Sequence, residues 1–451
     1  MRVSTRWAGT TLTVELHPEE GDGLTRGRAR LTGNLASFRL PVALGPDEVH
    51  PDVEALLALL IVQPFCGPSV TVGRGVSAGF AAAVETSLKR TLAPVDPSLA
   101  PRARPTDGRV GLAYSAGADS TAALAILPPD TALFFMRRVD PAGPRRRTLY
   151  SDAAALHACA ELEKRGRQVR VVESDVEHVR DPVGFTSDWI NGAGAILLAE
   201  RERIDSLAWG LIAESAYGIG HERFLDWRDR QATGWGPVFA AAGLPMCQAV
   251  AGVSEVGTAS IVRRAPNGDL AQSCIRGAVG APCRNCWKCF RKSLLDAALA
   301  GAWPSPGELD RLFRVPEARG VLAKYPIKHE DVVAWTAGRY HGRHRLMRLL
   351  AARTWADRLD LDWLTRFYGP SVDLLPERHR PVISANLEGY LDRMTAQDES
   401  AMQAWDMHAL LADPATEAAR DALIAALQAH GSSDGPRVVA LARRIRRRLG
   451  A

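Results

Sequence analysis

Apolar and polar residues alternate through the first stretch of the chain, as in "TLTVEL", with the period of half-buried strands. "DVEALLALLIV" then reads as a helix, so residues 1–92 are expected to form a small N-terminal α+β domain. "LAPVDPSLAPRARPTDG" follows, and its prolines mark residues 93–108 as a linker. From Arg109 short apolar segments alternate with helical ones: "RVGLAY" precedes "STAALAIL", and "TALFFMRRV" precedes "SDAAALHACAELEKRG". "QVRVVES" then precedes "NGAGAILLAERER", and "IDSLAWGLIA" comes next. This alternation predicts a parallel sheet with helices on both faces over residues 109–300. Residues 301–451 carry a mostly helical pattern, broken at "KYPIKHED", "FYGPSVDLLPERHRP" and "GSSDGP". The expected fold is α/β: a parallel-sheet core, a small N-terminal α+β domain and a helical C-terminal extension.

At 451 residues the chain is too long for one core, which agrees with several domains. Hydrophobic residues make up 46% and charged residues 24%, ordinary for a globular protein. The net charge of +5 is too mild to imply nucleic acid by itself. "MRVSTRWAGTTLTVEL" lacks the apolar core of a signal peptide. "ALLALLIV" is far short of the ~20 residues of a membrane span. A cytoplasmic protein without a membrane partner is expected. In the basic "LARRIRRRLG", Leu441, Ile445 and Leu449 recur every four residues, which suits a packed helix with a basic outer face. Binding of tRNA is the lesser reading there, and "RYHGRHRLMR" from Arg339 has the same ambiguity.

"YSAGADSTAAL", from Tyr114, occupies the first strand-to-helix turn of the expected sheet. Open α/β sheets bind ligands at such turns. Gly117 and the flanking alanines allow close backbone approach, and N–H groups converge at a helix N-terminus. Ser115 and Ser120 add hydroxyls, and Asp119 could hold Mg²⁺ on phosphates. The same residues would also serve as an ordinary helix cap. "SAGADS" resembles the S-G-G-x-D-S pyrophosphate loop of the PP-loop ATP pyrophosphatases, with Ala116 where that family usually has glycine. The resemblance implies a HUP/PP-loop-like nucleotide-binding core and cleavage of ATP between its α- and β-phosphates. It further implies that Ser115, Ala116, Gly117, Ala118, Asp119 and Ser120 cradle the pyrophosphate. The adenine would lie near the end of the second strand, around Phe135, Met136 and Arg137. Asn191, opening a helix, reads either as facing the nucleotide or as a cap.

Four of the seven cysteines, Cys274, Cys283, Cys286 and Cys289, are spaced C-x8-C-x2-C-x2-C. Four thiolates satisfy tetrahedral Zn²⁺ completely, so the expected site is structural. An iron–sulfur cluster is the rival, because closely spaced cysteines also serve ferredoxins. Cys66, Cys159 and Cys247 sit in apolar surroundings and read as buried small hydrophobes.

The turn and the cysteines together resemble the 7-cyano-7-deazaguanine synthase family. Its members activate a carboxylate with ATP, admit ammonia and dehydrate the amide to a nitrile. "AESAYG", covering Glu214, Ser215, Tyr217 and Gly218, resembles instead a segment of the ATP-dependent epimerases. Those act on the terminal glutamate of UDP-N-acetylmuramoyl-alanyl-glutamate. The chain carries "ESAYGIGHERFLDWRDR" where the synthases usually have a D-C-R triplet. Both resemblances imply an adenylating enzyme that acts on a small carboxylate and releases pyrophosphate and then AMP. Residues 214–230 are the expected substrate wall, with Glu214, Tyr217, His221, Asp226 and Arg228 orienting the acyl group or moving protons. A tRNA-modifying enzyme, or a nucleotide-binding protein without turnover, is the remaining alternative.

Overall fold

The computed structural model describes residues 1–141 and 150–432. The chain divides into two compact units. The first comprises Met1–Tyr217, Asp226–Pro282 and Arg366–Met394; the second comprises Gly218–Leu225, Cys283–Thr365 and the residues from Thr395.

The N-terminal part of the first unit supplies β1 (Arg2–Ala8), β2 (Thr11–His17), β3 (Thr25–Arg26), β4 (Ala29–Leu31), β5 (Leu35–Arg39), β6 (Ser69–Val76) and β7 (Thr91–Val95). The strand–helix alternation supplies β8 (Arg109–Ala113), β9 (Ala132–Arg138), β10 (Val169–Ser174), β11 (Arg180–Asp181) and β12 (Ile204–Ala208). Nine of them form one sheet, in the order β12-β8-β9-β10-β5-β2-β1-β6-β7. Strands β12, β8, β9 and β10 are mutually parallel, as the alternation predicts. Strands β5, β2 and β1 continue antiparallel, and β6 and β7 return to parallel pairing. The α/β class is thus observed, with the N-terminal strands in the same sheet as the central ones. Within the proline-rich stretch, the buried Arg102 donates to Glu200 and to the carbonyls of Gly243 and Ile204.

Side chains along β9 alternate between two apolar clusters. Leu133 and Phe135 face one, with Val110, Leu112, Ala122 and Ile126; Phe134 and Met136 face the other, with Leu56 and Ile196. Helices therefore cover both faces. The segment "NGAGAILLAERER" forms an α-helix only over Ala193–Leu197, shorter than its pattern suggests. Its glycines serve close packing: a Cβ on Gly194 would lie 2.9 Å from Val172, and one on Gly192 2.7 Å from the Trp209 ring.

The second unit is helical. Trp287–Ala300, Pro306–Arg314, Glu330–Gly338, Arg345–Arg353 and Pro414–Ser432 surround a core that includes Phe290, Phe313, Met347 and Leu423. The helix Arg380–Tyr390 belongs to the first unit, where Asn386 donates to the Ile126 carbonyl at the end of the helix Ala118–Ile126. Among the described residues no helix is long and apolar enough to cross a membrane. The basic segment carrying Leu441, Ile445 and Leu449 lies outside the described residues.

Candidate functional site

Across β10, β9, β8 and β12 the chain order runs third, second, first, fourth, so the direction of winding reverses between β8 and β12. Met246 makes a parallel bridge to Leu207 and adds a further extended segment beyond β12. In open α/β sheets such a reversal leaves a crevice at the carboxyl ends of the strands, where ligands bind. The turn singled out in the sequence leaves β8 at this point.

The helix Ala118–Ile126 starts from Gly117, whose extended backbone offers no side chain to cap it. Help comes from elsewhere: the Ala118 N–H donates to Ser273 Oγ at 3.2 Å. Ser120 Oγ accepts from the Ser115 N–H (3.2 Å), lies 3.1 Å from Ser115 Oγ and donates to the Gly117 carbonyl (3.2 Å). Between the two serines, Ala116 is buried and has φ +57°. For a residue with a Cβ this left-handed conformation costs about 1–2 kcal/mol. Strain of this kind concentrates at functional turns. Alanine here holds the backbone that glycine would adopt freely, and its carbonyl accepts from the Gln272 N–H at 2.8 Å.

Asp119 accepts from Thr258 Oγ1 at 3.0 Å. Thr258 belongs to the helix Glu255–Arg264, and the Glu255 N–H donates to Glu214 at 2.6 Å. Glu214 is fully buried, so its carboxylate anchors that helix. Gly210, just past β12, abuts the turn: a Cβ there would stand 2.6 Å from Ser120 N. The exits of β8 and β12 are thus in direct contact.

The remaining expected residues are distributed. Phe135 and Met136 are buried on opposite faces of the sheet. Arg137 pairs with Asp152 (2.6 Å) and Glu173 (2.8 Å). Asn191 accepts from Trp209 Nε1 at 2.8 Å, and the Trp209 N–H donates to Gln248 Oε1 at 3.3 Å. Tyr217 is buried edge-on against Tyr368, and burial pushes its phenol well above the ordinary value. Arg228 is exposed and grips Asp226 through Nε and Nη2; that hydrogen bond holds the Asp226 carboxyl below its usual range. Residues 214–230 are divided between the two units. Glu214, Tyr217, Asp226 and Arg228 lie in the first, while the exposed His221 belongs to the second. Thr258, Gln272, Ser273 and Gln248 escaped the sequence reading, because no local motif surrounds them.

Cys274, Cys283, Cys286 and Cys289 converge, with sulfurs all within 4.8 Å of one another. Cys283 and Cys289 Sγ are 3.8 Å apart. That is the edge of a tetrahedron with ~2.3 Å metal–sulfur bonds. The Asn285 N–H donates to Cys283 Sγ and the Cys289 N–H to Cys286 Sγ, both at 3.4 Å. Three of the four are buried. The cluster could hold a metal such as zinc. Cys66, Cys159 and Cys247 are buried as expected, and burial pushes the Cys159 thiol up to about 12.

Residues 234–406 match the model of a family of unknown function, DUF6395. The matched stretch takes in Gln248, Thr258 and the four cysteines, and begins after the turn at β8. No curated protein and no solved structure matches the chain.

Proposed function

We propose that this protein binds ATP at the carboxyl edge of β8 and β12 and uses it to adenylate the carboxylate of a small metabolite. The observation that carries the reading is the reversal of strand order at a helix N-terminus whose cap residue, Gly117, brings no side chain of its own, beside a glycine-like backbone at Ala116. Residues 115–120 would cradle the β- and γ-phosphates. Asp119 would hold Mg²⁺, which supplies neutralisation of the charge developing on the leaving oxygens. The substrate carboxylate oxygen attacks the α-phosphorus, the bond from that phosphorus to the α–β bridging oxygen breaks, and pyrophosphate departs with the electron pair. A nucleophile then displaces AMP from the acyl carbon. The burial of Glu214 and Tyr217 weighs against either as the mover of an α-proton, so an epimerase reading would rest on His221. The four thiolates would hold Zn²⁺ with no open position, a folding element rather than a catalyst.

Pyrophosphate release from ATP, measured with and without a panel of carboxylates, tests the assignment. With an ¹⁸O-labelled carboxylate the label is expected in AMP; label-free AMP overturns the adenylate. Elemental analysis is expected to find about one zinc per chain. Iron with a brown chromophore would replace zinc by a cluster.

A further inference from the structure

Gln248 is 5% exposed, and its Oε1 faces the Trp209 N–H, a group that can only donate. The amide orientation is therefore determined, and Nε2 points the other way. Among the described residues Nε2 has no hydrogen-bond partner. A buried donor left unmade is costly, and a bound ligand or water is one way to complete it. Its position fits that explanation. Gln248 follows Met246, the bridge partner of Leu207, and so stands at the carboxyl edge beside β12. Trp209, its anchor, directly precedes Gly210, which lies so close to the turn that a Cβ on it would meet Ser120 N at 2.6 Å. The Trp209 ring is itself fixed by Asn191 and by edge-on contacts with Trp189 (5.0 Å) and Phe239 (5.5 Å). A buried donor is thus held beside Trp209, whose neighbour Gly210 packs on the turn, on the β12 side of the strand-order reversal.

We infer that Gln248 Nε2 is a phosphate ligand for the α-phosphoryl group of a bound nucleotide, one step along the chain of phosphates from the group held by residues 115–120. The inference rests on the nucleotide reading above. Gln248 would then be the group that tells a nucleoside phosphate from free pyrophosphate.

Calorimetric titration of the full-length protein with AMP, and separately with magnesium pyrophosphate, tests it. Gln248→Glu keeps an acceptor for the Trp209 N–H but replaces the free donor with an acceptor. It should weaken AMP about tenfold, the loss of one hydrogen bond to a charged group, and change pyrophosphate affinity less than about twofold. Gln248→Met removes the donor without adding charge and provides the same readout should the glutamate variant fail to fold. Unchanged AMP affinity in a folded variant overturns the role of Gln248 while leaving the nucleotide site standing. Equal weakening of AMP and pyrophosphate also overturns it, since that signals a disturbed turn. Wild-type protein that binds neither probe overturns the nucleotide reading itself.

Discussion

Glu202, at the amino end of β12, and Gln248, beside its carboxyl end, are buried to nearly the same degree, 6% and 5% exposed. Their surroundings differ. Glu202 Oε1 accepts from Arg170, and Oε2 accepts from Arg109 and Gln168 (2.5–3.0 Å). Gln248 keeps one arm of its amide without a partner. The contrast concerns these two side chains and not the backbone, since left-handed residues occur at both edges, Arg203 at the amino edge and Ala116 at the carboxyl edge. A charge shared by two arginines serves the fold, whereas under the proposal above the open arm of Gln248 serves a ligand.

Glu202→Ala should have the largest effect, because it leaves Arg109 and Arg170 together without their shared counter-charge. A loss of about 3–5 kcal/mol in urea unfolding is expected, with AMP affinity of the folded protein unchanged. A loss of AMP affinity without loss of stability would erase the distinction between the edges. Gly210→Ala sharpens the contrast from the other side. The new methyl meets the backbone of Ser120, so stability should drop by about 1–3 kcal/mol, and AMP binding should drop with it.

Acid unfolding probes the amino edge again. Burial alone would raise the Asp205 carboxyl, but hydrogen bonds from His379 and Ser206 outweigh it and hold it below its ordinary value. With the folded value below the unfolded one, the stabilisation is fully present above the unfolded pKa and disappears as pH falls through the folded pKa. Asp205→Asn should therefore flatten the decline of stability below about pH 4. An unchanged acid limb would remove Asp205 from the account. The smallest effect is expected from Ala116→Gly, which relieves the left-handed strain and should stabilise the protein by less than about 1 kcal/mol in thermal melts. Destabilisation would show that alanine is not strained there.

The parts of this site that were legible in the sequence are local ones. The turn at residues 115–120 and the C-x8-C-x2-C-x2-C spacing announce themselves because strand, turn and helix signals, or ligand spacings, lie within a few residues. The parallel order of β8, β9 and β10 follows from strand–helix alternation. Thr258, Ser273 and Gln248 were invisible because tertiary packing brings the first two to the turn, and Gln248 to Trp209, from far along the chain. The polarity of 214–230 reads as a binding loop, and some of it has local uses that the sequence does not show: Glu214 holds a neighbouring helix and Arg228 is engaged by Asp226 two residues away. The pattern of "NGAGAILLAERER" promised a longer helix, because its glycines were chosen for contact with Val172 and Trp209 rather than for helix propensity.

The bond from Asn386 to the Ile126 carbonyl spans 260 residues of chain, and Phe367, Ile383, Leu387 and Leu391 share a cluster with Val110 and Leu112. During synthesis the helix that follows the turn leaves the ribosome long before its cover exists. At about 5–20 residues per second the interval is roughly 13–50 s. Throughout it the nascent chain presents an unfinished apolar face to chaperones, and a ribosome stalled anywhere before residue 367 would release a sheet that lacks this part of its core.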